Sequence, residues 1–530
     1  MLIPEILVRA FLKWVVVVTA LSLSVALSFH ACSTGGRRDG YVYYRLTANP
    51  TTLDPALIVD VTGGFISAKI FNGLVKMDEN LNVAPDIAEK WDISEAGTMY
   101  TFRLRKHVYF SNNREVTSHD FKYSFERILT AESRSPNTWV LEKIFGARRF
   151  MAGKTKNLAG IETTDRYTLK IRLEKPFSPF LNLLTMTAAY VVPEEEVTKW
   201  GDDFSSHPVG TGPFVLKEWK HNNQVVLERN DNYYNGEPRT KGIVYRIIPE
   251  DLTAVTEFEL GNLDVLTIPA YEYSRYKNSS KWRNLISSMR GLNIYYLGFN
   301  CSRPPFNDIN FRKAVSYAID REKILSTFYE NRGRLAEGPV PDMLRKWPPP
   351  SKQVYDPERA KGIIESHGLK NTVIQFYVTS DQEVVDIAEI IQSYLKKAGL
   401  QVRIKQLEWS GYKSAINNGE ADMFWISWWA DYPDPENFLF PLFHSSNHGA
   451  PGNRSRYTNK IVDGLIEAGQ TAVDPSARDS YYMAGERIIA SESPWVFFWH
   501  KTDFTVRQPY LKNYKIYPIY SMDKGLEVSF

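Results

Sequence analysis

The stretch from residue 373 to residue 429 decides the fold class, and it reads VIQFYVTSDQEVVDIAEIIQSYLKKAGLQVRIKQLEWSGYKSAINNGEADMFWISWW. Apolar runs predict strands over 373–378, 402–407 and 422–428. Apolar residues at helical spacing predict a helix over 383–398, ended by Gly399, and a short helix over 412–417. Strands that alternate with helices build a mixed α/β domain, and we expect its sheet to be largely parallel.

Outside this stretch the same patterns continue in both directions. Period-two alternation predicts strands over 100–105 and 167–173, and further strands are expected over 41–47, 225–229, 243–248 and 495–500. Helical spacing predicts helices over 63–75, 252–260, 311–325 and 477–491, and a further helix that Ser118 begins. With 530 residues, the chain is long enough for about two to four domains.

The composition is that of an ordinary folded protein and excludes a general electrostatic partner. Hydrophobic residues make up 43% and charged residues 24% of the chain. The formal net charge is only +3, with 64 basic and 61 acidic residues. This near-balance gives no reason to expect nucleic acid as a partner.

The N-terminus predicts export. Arg9 and Lys13 precede an uncharged apolar run over 14–29, which is shorter than the about 20 residues of a membrane span. His30 and Ala31 follow the run and precede Cys32, which resembles a bacterial lipoprotein cleavage site, and a polar, glycine-containing segment comes next. We therefore expect a signal peptide over 1–31, lipidation of Cys32 and a tether over 32–40. Ordinary signal cleavage and an uncleaved anchor are the alternatives.

Cysteine and histidine usage predicts neither a disulfide nor a metal centre. If Cys32 is acylated, Cys301 has no partner and is expected to be a small buried residue. His444 and His448 are four residues apart, but the serines, asparagine and glycine around them predict a solvated loop. We expect no metal and no cofactor; a metal-binding function remains the alternative for this pair.

Motifs of catalysis are absent. The chain has no Gly-x-Ser-x-Gly elbow and no His-Glu-x-x-His motif. A carboxylate pair of Asp431 with Asp434 or Glu436, near several tryptophans, is the one enzymatic alternative, that of a glycosidase. We expect a protein without catalytic activity.

Several segments in a fixed order resemble the oligopeptide-, dipeptide- and nickel-binding proteins of ABC importers, which form solute-binding protein family 5. Together they cover most of the chain after residue 45. They are TLDP (52–55), IFNGLV (70–75), PDIAEKW (85–91), TFRLRK (101–106), VTSHDF (116–121), PVGTGPF (208–214), LGFN (297–300), PFND (305–308), ADYPDP (430–435) and the strand after residues 493–494.

This resemblance implies an α/β fold built as a two-lobed, periplasmic-binding-protein-like clamp with mixed sheets and a two-strand hinge. Lobe I is expected to combine 41–75, 205–300 and 501–530, interrupted by an inserted subdomain over 76–204. Lobe II is expected over 301–500. In such a clamp the ligand lies between the lobes as they close.

The resemblance also implies the site. A peptide binder must pair the α-ammonium of its ligand with a fixed carboxylate, because an enclosed charge without a partner is costly. Asp431 matches the family's aspartate; its alternative role is to cap the proline-rich turn. Trp409 matches a pocket-lining position. Trp425, Trp428, Trp429 and Tyr432 are neighbouring candidates, and strand periodicity puts Trp425 and Trp429 on one face and Trp428 on the other.

Four further residues, which stand where relatives contact ligand, are expected at the site: Thr267, Tyr296, Asn137 and Phe498. The chain departs from the family at Ile416 and Trp425, where oligopeptide-binding relatives carry arginines that can meet the ligand carboxylate. The carboxylate must then be held from elsewhere, or the ligand is not a standard short peptide. The resemblance leaves nickel complexes, haem and oligosaccharides as alternative ligands.

The resulting prediction is an extracytoplasmic, lipid-anchored monomer that delivers short peptides to the permease subunits of an ABC importer. A surface receptor or adhesin without transport is the remaining alternative.

Overall fold

Strands and helices alternate along most of the chain in the computed structural model, which describes residues 39–370 and 372–530. The described strands are β1 (Tyr41–Leu46), β2 (Val75–Met77), β3 (Val83–Pro85), β4 (Ala88–Ser94), β5 (Met99–Leu104), β6 (Ile161–Asp165), β7 (Thr168–Arg172), β8 (Phe214–Lys220), β9 (Gln224–Arg229), β10 (Gly242–Ile247), β11 (Val265–Thr267), β12 (Ile286–Arg290), β13 (Asn293–Phe299), β14 (Gly333–Leu335), β15 (Val373–Thr379), β16 (Gln401–Leu407), β17 (Met423–Trp429) and β18 (Trp495–Arg507).

The described α-helices are α1 (Val61–Ile70), α2 (Ser118–Leu129), α3 (Ala147–Met151), α4 (Phe180–Leu183), α5 (Glu194–Trp200), α6 (Asp251–Glu259), α7 (Tyr273–Asn278), α8 (Ile309–Ala318), α9 (Arg321–Lys323), α10 (Pro357–Ser366), α11 (Gln382–Lys397), α12 (Trp409–Asn418), α13 (Glu436–Phe443), α14 (Lys460–Thr471) and α15 (Pro475–Glu492). The expected signal segment and Cys32 lie outside the described residues. None of the described helices combines the length and apolarity needed to cross a membrane.

A mixed sheet extends from the second lobe into the first. Its strands follow the order β11-β18-β13-β17-β15-β16, with β12 and β14 also paired to β18. Strand β15 pairs in parallel with both β16 and β17, whereas β13 is antiparallel to β17 and to β18. The expectation of a largely parallel sheet is therefore wrong, because β13 runs opposite to both of its neighbours, and β11, β12 and β14 run opposite to β18.

The first lobe and its insertion have separate sheets and cores. The first lobe holds the four-stranded sheet β1-β10-β9-β8. Its core gathers residues from all three chain segments, among them Val42, Leu227 and Leu511. The insertion holds the four-stranded sheet β4-β5-β7-β6, and a separate apolar cluster covers it. The fold is thus a two-lobed clamp with an inserted subdomain.

Two neighbouring chain segments cross between the lobes. In β18, Thr502 to Val506 pair with β12, whereas Trp495 to Trp499 pair with β13. All seven residues of β13 pair with β17. The crossing of this segment lies near Gly291, so the expected lobe boundary at residue 300 is too late.

Asn293 stabilises the point at which the two segments cross between the lobes. Its buried side chain accepts a hydrogen bond from the Lys501 amide (2.7 Å) and donates to the Lys501 carbonyl (3.3 Å). The amide of Gly291 also donates to the Lys501 carbonyl (2.9 Å). A Cβ atom at Gly291 would lie 2.0 Å from the Asn293 side-chain nitrogen, so any larger residue here must displace Asn293.

Two predicted helices are shorter in the structure. The first ends at Ile70, because the carbonyls of Ile70 and Asn72 accept hydrogen bonds from Gly212 (2.7 Å) and Val191 (3.0 Å). The helix predicted over 311–325 breaks at Ile319, whose backbone is extended. Contacts with distant segments of the chain end the first helix at Ile70, so helical periodicity alone does not predict this end.

Candidate functional site

Three strand ends form one edge of the second lobe. Because β15 runs parallel to β16 and to β17, the carboxyl ends of all three strands point the same way. Ser380, Glu408 and Asp431 follow these ends closely, and the Ser380 hydroxyl donates to Glu408 Oε1 (3.0 Å). Ligands of open α/β sheets bind at this edge. The topology therefore brings the predicted residues Trp409 and Asp431 to a common edge.

Among the described residues, one amide side chain and no cation holds Asp431. Its backbone N–H donates to Asn437 Oδ1 (3.0 Å), and Asn437 Nδ2 donates to the Asp431 carboxylate (3.2 Å). Asn437 is buried in the first turn of α13, so it fixes the loop. Asp431 is open to solvent but crowded by surrounding atoms. This crowding raises its pKa, and the Asn437 hydrogen bond opposes the rise.

The neighbouring acidic residues are engaged inside the protein. Asp434 is buried, pairs with the Arg478 guanidinium and accepts a hydrogen bond from Asn182 of the inserted subdomain (2.5 Å). Glu436 contacts the Tyr432 hydroxyl and accepts from Gln470 (2.6 Å). Neither carboxylate is free to work beside Asp431 as the acid–base pair of a glycosidase.

Tyr432 faces the interior, which corrects its expected ligand contact. Its side chain is buried, with its ring 6.2 Å from that of Trp139 in the inserted subdomain. Its hydroxyl bonds Glu436, and burial raises the pKa of Glu436 to about 7. Tyr432 therefore anchors the loop that carries Asp431.

The tryptophans divide between the edge and the core. Trp409 is the first residue of α12 and is 59% exposed, and Trp429 is 43% exposed. Trp428 is half-buried, and its indole N–H donates to Asn437 Oδ1 (3.4 Å). Trp425 is buried against Phe498. Of these four residues, Trp409 and Trp429 offer the most open surface to a ligand.

The predicted face assignment of the tryptophans is confirmed. The rings of Trp425 and Trp429 both lie beside Tyr295, at 6.4 and 6.5 Å, on one face of β17. Trp428 packs with the core cluster on the other face. The expectation that Trp425 contacts ligand is corrected, because its side chain is buried against Phe498.

Three other predicted contacts are interior residues. Tyr296 is 1% exposed and stacks on Trp495, and Phe498 is 0% exposed within the core of the second lobe. Asn137 is buried and donates hydrogen bonds to the carbonyls of Ala56 (3.3 Å) and Ile58 (2.8 Å). All three stabilise the scaffold, so their expected ligand contacts are corrected.

The first lobe offers a cavity of about 320 Å³. Thr267 lines it and pairs with Thr505 across β11 and β18. All of the lining residues come from the first lobe or from its part of β18; they include Val61, Phe65, Tyr514, Tyr517 and Tyr520. The sequence shows an excess of aromatic residues, but the spacing of these tyrosines does not predict that they line one cavity.

Tyr520 connects this cavity with Asp431. Burial raises the pKa of Tyr520, a hydrogen bond with Thr187 opposes the rise, and the negative charge of Asp431 adds to it. Such an effect requires the two side chains to be near each other. We take the first-lobe cavity and the edge with Asp431, Trp409 and Trp429 together as the candidate site.

A cation stands beside Trp409. Ile416 and Trp425 are buried, so neither position supplies a positive charge. Lys413, one turn after Trp409 in α12, has its Nζ 5.3 Å from the centroid of the Trp409 ring. Burial and the charge of Arg454 lower the pKa of Lys413 to about 8.

The histidine pair does not form a site. His444 is buried, which corrects the expected solvated loop, and its ring contacts Ser446 (2.7 Å) and Glu467 (3.1 Å). His448 contacts the Tyr457 carbonyl (3.1 Å). Within residues 39–370 and 372–530 there is no group of three or more His, Cys, Asp or Glu side chains able to hold a metal ion.

Cys301 is half-buried, and burial raises the pKa of its thiol to about 12. A thiol with that pKa is not ionised at neutral pH and is a poor nucleophile.

Comparison with known proteins agrees with this architecture. Residues 82–450 match the model of the bacterial extracellular solute-binding proteins, family 5 Middle. The chain is 29% identical over 505 residues to Heme-binding protein A of Haemophilus influenzae, covering 89% of each chain. It is 26% identical over 499 residues to the Dipeptide-binding protein of Escherichia coli, covering 90% of this chain and 92% of the relative.

A solved structure of the ABC transporter-associated periplasmic binding protein DppA from Helicobacter pylori, in complex with the peptide STSA, superposes with a TM-score of 0.75. The sequence identity is 26%, and the match covers 92% of this chain and 98% of that one.

Proposed function

The chain belongs to family 5 of the bacterial extracellular solute-binding proteins, and from that membership we propose that it captures short peptides and delivers them to the permease of an ABC importer. The observation that carries the peptide assignment is Asp431. It is a carboxylate at the ligand-binding edge of the sheet, with a raised pKa and no cationic partner among the described residues. A peptide α-ammonium supplies the missing charge.

Trp409 and Trp429 provide the contact surface for side chains. Both indoles are exposed, and flat aromatic faces accept varied side chains. The protein then recognises the features that all peptides share. It pairs with the two charged ends of the peptide and binds its backbone through polar groups of the cleft, such as Thr267 and Thr505. This division suits a carrier of peptides of differing sequence.

We assign the ligand carboxylate to Lys413. Side chains of a helix tilt toward its N-terminus, so Lys413 leans over Trp409 toward the edge of the sheet. It forms no ion pair within 4.0 Å in the described part of the chain, and nearby Arg454 disfavours its charged form. A carboxylate bound there restores the charge balance of Lys413.

Lobe closure completes the site. The lining of the first-lobe cavity includes no residue of the second lobe away from β18, so the cavity is uncovered. Rotation about the crossing segments near Gly291 and Lys501 brings the Asp431 edge over it. Closure around a peptide excludes water and strengthens both charge pairs.

The protein acts by binding, without catalysis, and as a lipid-anchored monomer outside the cytoplasm. The engagement of Asp434 and Glu436 in internal contacts supports the absence of glycosidase chemistry. Cys32, behind an apolar segment, is the residue we assign to acylation. Metabolic labelling with a palmitate analogue, lost in Cys32→Ser, tests the anchor.

The decisive experiment is mass spectrometry of the ligand released from the purified, denatured protein, together with thermal shifts in mixed tri- to hexapeptides. We expect peptides in the released fraction and a rise in Tm. Release of haem or of an oligosaccharide, with no shift from any peptide library, would refute the peptide assignment.

A further inference from the structure

A second cavity lies apart from the candidate site. It has a volume of about 560 Å³ and is bordered by α8, by residues 349–353 and by the end of α15; we call it the α8–α15 cavity. None of its lining residues belongs to the edge that carries Asp431 or to the first-lobe cavity. Its size is within the range of small-molecule sites.

The α8–α15 cavity is positively charged. Lys313 and Arg487 line it, and no acidic residue does. Neither cation has an ion-pair partner within 4.0 Å among residues 39–370 and 372–530, whereas Lys352, also in the lining, is paired with Glu322. Two uncompensated cations that border one open cavity attract an anion.

Two residues that line this cavity carry buried polar atoms without a hydrogen-bond partner. Ser316 is only 4% exposed, and its hydroxyl has no hydrogen-bond partner. Gln353 Oε1 is likewise without a partner, although the nitrogen of the same amide donates to the Trp495 carbonyl (3.4 Å). Buried polar atoms are nearly always hydrogen-bonded, so a hydroxyl-bearing ligand would complete both. This observation is independent of the charges.

Flat apolar surfaces border the polar ones. Tyr317 follows Ser316 on α8, and residues Pro349 and Pro350 form the facing loop. Lys313, Ser316 and Tyr317 stand at positions i, i+3 and i+4 of the helix, so they share one face. An aromatic ring beside hydrogen-bonding groups suits the alternating apolar and hydroxyl faces of a sugar ring.

We propose that the α8–α15 cavity binds a sugar that carries a phosphate or a carboxylate. Lys313 and Arg487 pair with the anionic group, and Gln353 Oε1 and the Ser316 hydroxyl bond sugar hydroxyls. The sugar ring packs against Tyr317 and the two prolines. This site is separate from the peptide cleft and does not depend on the peptide assignment.

The test is calorimetric titration of the full folded protein with glucose 6-phosphate, glucuronate, glucose and inorganic phosphate. We expect at least one charged sugar to bind with a Kd of about 1 mM or lower, and glucose and inorganic phosphate each to bind at least tenfold more weakly. The two charged sugars distinguish a phosphate from a carboxylate ligand.

Three variants of cavity residues and one control variant localise the binding. Lys313→Gln and Arg487→Gln are expected to weaken the charged sugar at least fivefold, and Lys361→Gln, an exposed lysine on α10, to leave it unchanged. Ser316→Ala is expected to weaken binding while melting normally. The proposal fails if neither charged sugar binds at 10 mM, if inorganic phosphate binds equally well, or if the cavity variants bind like Lys361→Gln.

Discussion

Replacing Asp431 by Asn tests the charge pair at the centre of the proposed site. The change removes the negative charge but keeps the shape, and an amide oxygen still accepts the hydrogen bond from Asn437. The scaffold should therefore be unaffected, because Asp431 has no ion pair in the described structure and is open to solvent. Only the ligand ammonium loses its partner.

The expected loss of binding free energy depends on how far Asp431 is enclosed. Removing one member of a fully buried charge pair costs about 2–5 kcal/mol, and Asp431 remains partly open to solvent before closure. We expect about 2–3 kcal/mol, which is a roughly 30- to 150-fold rise in Kd. Asp386→Asn is the matched control, because Asp386 also accepts one hydrogen bond from a neutral amide, that of Gln382 (2.7 Å).

The assay is isothermal titration with the tripeptide that gives the largest thermal shift, and with its N-acetyl derivative. Acetylation should weaken binding to the native protein by a similar factor, and it should add little to the loss in Asp431→Asn, because both changes remove the same charge pair. A Kd within threefold of the native value in Asp431→Asn, or an acetylated peptide that binds undiminished, refutes the reasoning.

Affinity should also depend on pH. The pKa of free Asp431 is raised, and a bound ammonium lowers it again. Binding therefore releases a proton, so affinity falls as the pH is lowered through the raised pKa of the free protein. The same titration in Asp431→Asn should lack this dependence.

Three further predictions concern single side chains. Glu436→Gln should raise Tm at pH 8 but not at pH 5. Burial raises the Glu436 pKa from an ordinary 4.5 to about 7, so the contribution of Glu436 to stability falls by on the order of 3 kcal/mol as the pH rises across that interval. An equal change in Tm at both pH values would contradict this. Lys413→Met should weaken the binding of peptides with a free carboxylate about tenfold and leave the binding of their C-terminal amides unchanged. The affinity of the native protein should fall between pH 7 and 9 as Lys413 loses its charge. Equal losses for both kinds of peptide would assign the ligand carboxylate to another residue. Gly291→Ala should lower stability by about 1–3 kcal/mol through displacement of Asn293, measured by urea unfolding, whereas Gly362→Ala, whose Cβ meets nothing within 4 Å, should not.

Local patterns were sufficient for most secondary structure. The helix predicted over 383–398 is α11, one residue longer at its start and one shorter at its end, and the three strands around it are β15, β16 and β17. These elements have strong periodicity and clear ends, such as the Asp381 cap and Gly399. The direction of the remaining strands of the sheet was not predictable, because β13 and β18 join it from distant parts of the chain.

The sequence by itself determined the family, the order of the elements and the alternation of Trp425, Trp428 and Trp429 across β17, because each depends on residues close together in the chain. Only the tertiary structure decided which aromatic residues are open to a ligand. Tyr296 and Phe498 are core residues, whereas Trp409 is exposed and Tyr520 lines the first-lobe cavity. Periodicity assigns a side chain to one face of a strand, but segments hundreds of residues away decide whether that face is covered or meets solvent.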